Sequence, residues 1–526
     1  MRFTILGSLA LAGLGLLAGC SDDDDVGAAA TGGSAGSPGS GGSGGMAGSG
    51  GSAGSGGMAG SGGMAGAGGM AGAGGSDAGA PARLRVVHAS ANAPAVDIYA
   101  KGASTAAVTN FAYGEATSYL ELPAGTFAVD LRAAGAAASS APAFTSPDLT
   151  LEAGRSYVAI AAGSFGSSSP DDQFRVLALE EDFDAAASGS FRARVVHASY
   201  DAPTVDIDVG DDGSSEITGL ARFTDTPAAG VDLPAATALS VAIRAGGARV
   251  TGFTTPTVIP AAANVLLIAV GELGALPRQE RGFSLLAVLP ASTTDSPTAT
   301  VKQDPVVYAL HASPDAPAVD IYAGATELVD NAPYGAMARL QVPPGAYTLD
   351  FFAGVAGPTP RPAGAPAASA TTPALAAGGS YLAAAVGQLG ATPATFQLLP
   401  LEEGFDLGSA GSAVVRAVHA SSNAPSVDIG TVTTAGTLDS PPLYAGVAFP
   451  DASAAAGAAL TPGAVTLGFA AAGSTATAAE FDLTLTAGLR AFVLATGDFG
   501  GSSNGFGLMI VDTTSSPWTV APVAPK

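Results

Sequence analysis

A chain of 526 residues has room for three to five ordinary domains, and an apolar fraction of 47% requires that part of it be globular. Acidic residues outnumber basic ones 44 to 20, a net charge of −24, and the only lysines are Lys101, Lys302 and Lys526, so there is no basic patch for nucleic acid or anionic lipid. The single cysteine excludes an internal disulfide framework and a thiolate metal cluster.

Arg2 supplies a positive charge, Phe3 to Leu17 a short apolar region, and Leu17-Ala18-Gly19-Cys20 a run of small residues before the cysteine. This resembles a bacterial lipoprotein signal peptide, which implies that residues 1–19 are removed and that Cys20 carries the lipid. The apolar run is too short to span a bilayer comfortably, and Asp22 to Asp25 follow at once. Ser21 is similar to an outer-membrane sorting signal; the four aspartates are either a surface-export tag or a solvated spacer. Residues 26 to 82 are almost all Gly, Ser, Ala and Met, with Gly-Gly-Met-Ala-Gly recurring from Gly44. They read as a disordered tether spanning about 40 Å r.m.s..

Beyond the tether, one stretch occurs four times: His-Ala-Ser-x-(Asp/Asn)-Ala-Pro-x-Val-Asp-Ile, starting at His88, His197, His311 and His419. These are all the histidines of the chain, spaced 109, 114 and 108 residues apart, close to the size of an immunoglobulin-like sandwich. In the first repeat, 84–87, 96–99, 118–122, 126–132, 149–151, 157–161 and 174–179 read as seven short strands separated by Gly/Pro turns, with no capped amphipathic helix. A Gly-x-(Phe/Leu)-Gly turn recurs at Gly163, Gly271, Gly387 and Gly497. The pattern predicts an all-β chain of four tandem immunoglobulin-like antiparallel sandwiches at 83–184, 191–290, 304–406 and 412–512, after a tether at 20–82 and before a tail at 513–526.

The first and third repeats share Asp-Ile-Tyr-Ala (from Asp97 and Asp320), Tyr-Gly (Tyr113, Tyr334) and Leu-Glu-Glu-x-Phe-Asp (from Leu179 and Leu401), which the second and fourth lack. The order A-B-A-B, with short connections at 184–191 and 406–412 and a longer one at 290–304, predicts two compact pairs joined by a freer hinge. Trp518, in the tail, either docks on the fourth repeat or stays free.

The motif with its preceding apolar run, followed by Tyr-Gly, Pro-Ala-Gly and closing strands, resembles the bacterial domain of unknown function 4397 over nearly all of 83–512. The likeness is tightest in repeats one and three. That family implies secretion or lipid anchoring and no particular activity. Read from its residues, the motif is a turn in which serine and Asx side chains bond nearby amides and proline directs the chain into a strand. Within it His88, Ser90 and Asp97, with His197, Ser199, Asp206, His311, Ser313, Asp320, His419, Ser421 and Asp428, are expected to be structural, the imidazole bonded to the aspartate or to backbone. A Ser-His-Asp triad lacks a nucleophile elbow, and one histidine with one aspartate is too few ligands for closed zinc; no catalytic residue, metal or cofactor is assigned. Acidic clusters at Glu180-Glu181-Asp182 with Asp184, at Asp171-Asp172 and at Asp211-Asp212-Gly213 lack the spacing of a calcium loop and read as solvated turns. The end loops, the longest at 354–373, and the aromatics Tyr99, Tyr113, Tyr322 and Tyr334 are the candidates for sugar contact.

The sequence thus supports a non-enzymatic, lipid-anchored protein of the outer membrane, expected to be surface-exposed, that binds an envelope or extracellular glycan or protein multivalently. A spacer or surface-layer role is the alternative and an envelope-polymer hydrolase a distant third.

Overall fold

The computed structural model describes residues 79–526 except 236–237, 257, 290–297, 409–410 and 501–503, so Cys20, the residues expected as a signal peptide and nearly all of those expected as a tether lie outside the described residues. Short runs of Val, Ile, Leu and aromatic residues, bounded by Gly and Pro turns, form 36 strands; no helix occurs among the described residues. No described helix is therefore long and apolar enough to cross a membrane. Each repeat builds two sheets that face each other across an apolar core, as expected.

In repeat one the histidine strand, Ala82–His88, lies between Leu120–Leu122 and Ser156–Ala162, with Arg175–Glu180 outside. The aspartate strand, Val96–Ala100, lies in the other sheet between Val108–Phe111 and Val129–Ala133. All seven anticipated strands are present. The one at 126–132 breaks at Ala128 into Gly125–Phe127 and Val129–Ala133, because the first part leaves the sheet to form a ribbon with Leu149–Leu151. Val108–Phe111 and Phe144–Thr145 were not anticipated, being edge strands too short to show alternation.

The ladders between strands are antiparallel except for one in each repeat, where the histidine strand runs parallel to the strand that precedes the glycine turn. Parallel neighbours need a long crossover, and here the opposite sheet supplies it. Both strands therefore end at the same edge of the sandwich, and the residue registered with the histidine is alanine every time: Ala161, Ala269, Ala385 and Ala495.

Ser156–Ala162 is buried almost throughout rather than on alternate residues. Tyr157 and Ala159 face the core of their own sandwich, whereas Val158, Ile160 and Ala162 join Val87 and Ala89 against Val196, Ala198, Leu266, Ile268 and Leu286 of repeat two. The same positions of repeats three and four meet through Leu310, Leu382 and Ala384 on one side and Val418, Phe492 and Leu494 on the other. A strand buried on both faces reads as an unbroken apolar run, as Tyr157 to Ala162 does. Each pair is thus four sheets deep.

Leu-Glu-Glu-x-Phe-Asp is the clasp of the pair. The Phe183 ring lies against Gly230 and the Phe405 ring against Gly457, the Asp184 and Asp406 amides donate to Ala229 O and Ala456 O (both 3.1 Å), and Arg194 and Arg416 donate to the carbonyls of Glu180 and Glu402. In place of the clasp, repeats two and four add a fifth strand to the histidine sheet, Thr298–Lys302 and Thr519–Val523. The region expected as tail is therefore part of the fourth sandwich. Trp518 docks beyond repeat four, stacking on Tyr308 of repeat three with centroids 4.1 Å apart and planes 8° apart.

The junction between the pairs is polar. Arg278 forks onto Glu403 (2.7 and 3.3 Å) and donates to Phe405 O, while Gln341 bonds Arg249, Thr251 and the Gly252 amide. Among the described residues no buried apolar cluster joins repeats two and three. At about 1.5–3 kcal/mol per fully buried Val, Leu or Ile, the interface within a pair outweighs a junction made of polar contacts.

Phe405, 1% exposed, lies between repeats three and four. Phe405→Ala is expected to cost about 3–5 kcal/mol in chemical denaturation and to lower the transitions of repeats three and four together, leaving repeats one and two unchanged.

Candidate functional site

The repeated motif sits where the histidine strand and its parallel neighbour end side by side. Ser90 Oγ donates to Gly163 O (2.6 Å), Ser199 to Gly271 O (2.8 Å), Ser313 to Gly387 O (2.7 Å) and Ser421 to Gly497 O (2.8 Å). The two features that recur in the sequence, motif serine and glycine turn, are partners in space. The glycine is required: at Gly163 φ is +87°, and a Cβ there would stand 2.3 Å from Gln173 O.

Two residues after the serine, the Asx side chain caps the same turn. Asn92 Oδ1 accepts from Phe165 N (2.8 Å), Asp201 from Leu273 N (2.9 Å), Asp315 from Leu389 N (2.9 Å) and Asn423 from Phe499 N (3.0 Å). Aspartate and asparagine share this acceptor oxygen, and the asparagines add bonds from Nδ2 to Phe165 O and Phe499 O (both 3.1 Å).

The histidine does not meet the aspartate. Its Nε2 donates to the carbonyl of the motif proline: His88 to Pro94 (3.3 Å), His197 to Pro203 (3.0 Å), His311 to Pro317 (2.9 Å) and His419 to Pro425 (2.9 Å). All four rings are buried, which pulls their pKa values below the usual imidazole value and keeps them neutral. Of the two bonds expected for the imidazole, the structure has the backbone one.

The aspartate is committed to the other sheet. Asp97 accepts from Asn110 N (2.8 Å) and Gly135 N (3.0 Å), Asp206 from Gly219 N (2.7 Å), Asp320 from Asn331 N (2.7 Å) and Val355 N (3.1 Å), and Asp428 from Gly446 N (2.7 Å) and Gly473 N (2.8 Å). Asn110, Gly219, Asn331 and Gly446 all have positive φ, each at the register shift beside the aspartate strand. The carboxylate satisfies an amide that this bulge removes from the ladder. In none of the four motifs do the imidazole, hydroxyl and carboxylate bond one another among the described residues; each is turned onto a different piece of backbone.

The aromatics proposed for sugar contact are otherwise engaged. Tyr99 and Tyr322 are buried in their sandwiches, under Arg132 and bonded to Glu327 respectively. Tyr334 reaches across its pair to Thr496 Oγ1 (3.3 Å), and burial pushes the Tyr113 phenol up to about 12. The acidic clusters are largely paired: Glu181 with Arg85, Asp182 with Arg155, Asp184 with Arg192 and Asp211 with Arg249. Asp320, Glu327 and Asp330 converge within 4.8 Å, a grouping that only the hairpin between their strands creates, and backbone amides of Asn331, Thr359 and Gly357 already occupy them.

What the motif presents to solvent is the tip of the turn. Phe165, Leu273 and Phe499 are 37%, 40% and 39% exposed, and Leu389 is half-buried at the fourth. Phe165 rests edge-on against Phe174 (5.9 Å) and Phe499 against Phe506 (5.4 Å), so the rings stand on a fixed base.

Ser90→Ala would leave the buried Gly163 carbonyl without its donor and is expected to cost about 1–3 kcal/mol in urea unfolding. The histidines, whose folded pKa values lie below the unfolded one, contribute stability that is present above pH 6.5 and is lost as pH falls through the folded values. Denaturation midpoints should therefore fall between pH 7.5 and 5, with a smaller fall attributable to repeat one in His88→Gln.

No curated protein matches the chain. The model of the family described as Domain of unknown function (DUF4397) matches residues 82–208 and 305–430. Each match covers a whole A repeat and runs through the histidine and aspartate strands of the B repeat that follows. Over those two stretches, a little under half of the chain, the sequence is similar to the DUF4397 family.

Proposed function

We propose that the protein is a non-catalytic, multivalent binding module of the cell envelope, which contacts a glycan or protein through the turn tips at the ends of its sandwiches. The observation that carries this reading is that serine and Asx side chains pin the same turn in all four repeats while its apolar tip residue stays in water at three of them. A pre-ordered apolar knob loses little entropy on contact, and four on one chain raise the effective concentration for one another. The dispersal of His, Ser and Asp onto separate backbone groups speaks against hydrolysis. Arg2, the apolar run to Leu17 and Cys20 support removal of residues 1–19 and anchoring by lipid at Cys20, with Ser21 favouring the outer membrane.

The test is saturable binding of the labelled mature chain to envelope fractions and arrayed glycans. Combined replacement of Phe165, Leu273, Leu389 and Phe499 by serine should lower affinity at least tenfold with the β-sheet circular dichroism spectrum retained, and single replacements should do less. Binding that ignores all four changes would overturn the role of the tips. No saturable binding at all would favour a spacer or surface-layer component.

A further inference from the structure

We propose that Asp304 is a proton-operated latch between the two pairs, holding repeats two and three together when its carboxyl is neutral and releasing them when it is charged. This does not rest on the binding role above. Asp304 is 4% exposed, at the point where the chain passes from one pair to the other. Its amide donates to Gly252 O of repeat two (2.8 Å) and its carbonyl accepts from Gln341 Nε2 of repeat three (3.1 Å). Gln341 in turn accepts from the Gly252 amide (3.0 Å) and from Arg249 (2.7 Å). The backbone of Asp304 is thus held from both sides; its Oδ1 is buried without a full hydrogen bond, and Thr254 and Arg249 are the neighbours that favour its charged form against burial.

The charges around it are unbalanced. Arg249, on strand Ala248–Thr254, pairs with Asp211 (2.9 Å); Arg244 pairs with Asp208 (2.8 Å) and Asp211 (3.4 Å). From repeat three come Tyr347, whose phenol burial and the Asp304 charge push up, and Gln341, with exposed Arg339 two residues earlier on the same strand. Across the junction Lys302 donates to Arg278 O, and Arg278 is paired with Glu403. Three carboxyls, Asp208, Asp211 and Asp304, therefore share two guanidiniums, and protonation of Asp304 brings that cluster to neutrality.

Burial, the largest influence, pushes the Asp304 carboxyl from 3.8 up to about 6. Because the docked state holds this proton more tightly than a solvated carboxyl does, the gain is fully present below 3.8 and is lost as pH rises through about 6. The difference corresponds to about a hundredfold in the docking equilibrium. The buried histidines act in the opposite sense, so the junction itself has to be read rather than overall stability.

Hydrogen exchange of the Gly252 amide in the mature chain, corrected for intrinsic rate, reads it. Protection should be high at pH 5 and fall by up to a hundredfold at pH 8, Asp304→Asn should stay protected at both, and Asp304→Glu should keep the response. Equal protection of the parent at both pH values, or an Asp304→Asn variant that loses protection like the parent, would overturn the latch. Should Asp304→Asn fail to fold by circular dichroism, the parent decides alone, the pH response supporting the latch and its absence refuting it.

Discussion

Everything in a repeat depends on the parallel ladder between the histidine strand and the strand that leads into the glycine turn. Parallel pairing brings the C-terminal ends of two strands, distant in sequence by more than seventy residues, to one edge of the sheet. Only there can the serine reach the carbonyl of the turn and the Asx residue its amides. The ladder also places both strands at the centre of a pair, one face in their own core and the other against the next repeat. Sandwich and pair are thus built on the same two strands.

The motif resolves into separate tasks. Imidazole to proline carbonyl closes the loop between the two sheets, hydroxyl to glycine carbonyl and Asx to turn amide fix the sandwich end, and aspartate to the left-handed bulge residue ties the second sheet. The imidazole and hydroxyl are buried polar groups with backbone partners, worth modestly more than nothing when made and about 1–3 kcal/mol when broken, whereas the Asx caps are exposed and worth less. Recurrence of such a set in four repeats needs no ligand to explain it. The exposed tips are different, since Phe165 and Phe499 lean on one ring each and, with Leu273, keep more than a third of their surface in solvent.

The A and B repeats differ in how they end. An A repeat ends in a clasp that enters its B partner, whereas a B repeat ends in an added edge strand, and a polar junction joins repeat two to repeat three. The same clasp glutamate shows how local substitution redirects contacts. Glu181 pairs with Arg85 inside its own repeat, but the counterpart of Arg85 is Tyr308, stacked under Trp518, and Glu403 reaches instead to Arg278 of repeat two.

Four sandwiches, the A-B-A-B order and the glycine turns were legible in the sequence, because each rests on local chemistry: alternation or unbroken apolarity in a strand, Gly and Pro at turns, and short distances along the chain. The limits of repeats two and four were not, since the added strands Thr298–Lys302 and Thr519–Val523 lie beyond the expected ends at 290 and 512. The unalternating run at 157–162 even carried the mark of a strand covered on both faces. The partners of the motif were not legible. Whether an imidazole meets a carboxylate nine residues on or a carbonyl six residues on depends on the bulge that turns Asp97 toward Asn110. That bulge has no signature in a run as short as Val108–Phe111. Nor could composition show that Trp518 would stack on Tyr308, a contact made only when one sandwich packs on another, or that Asp304 would be buried near two other carboxyls and two arginines of repeat two.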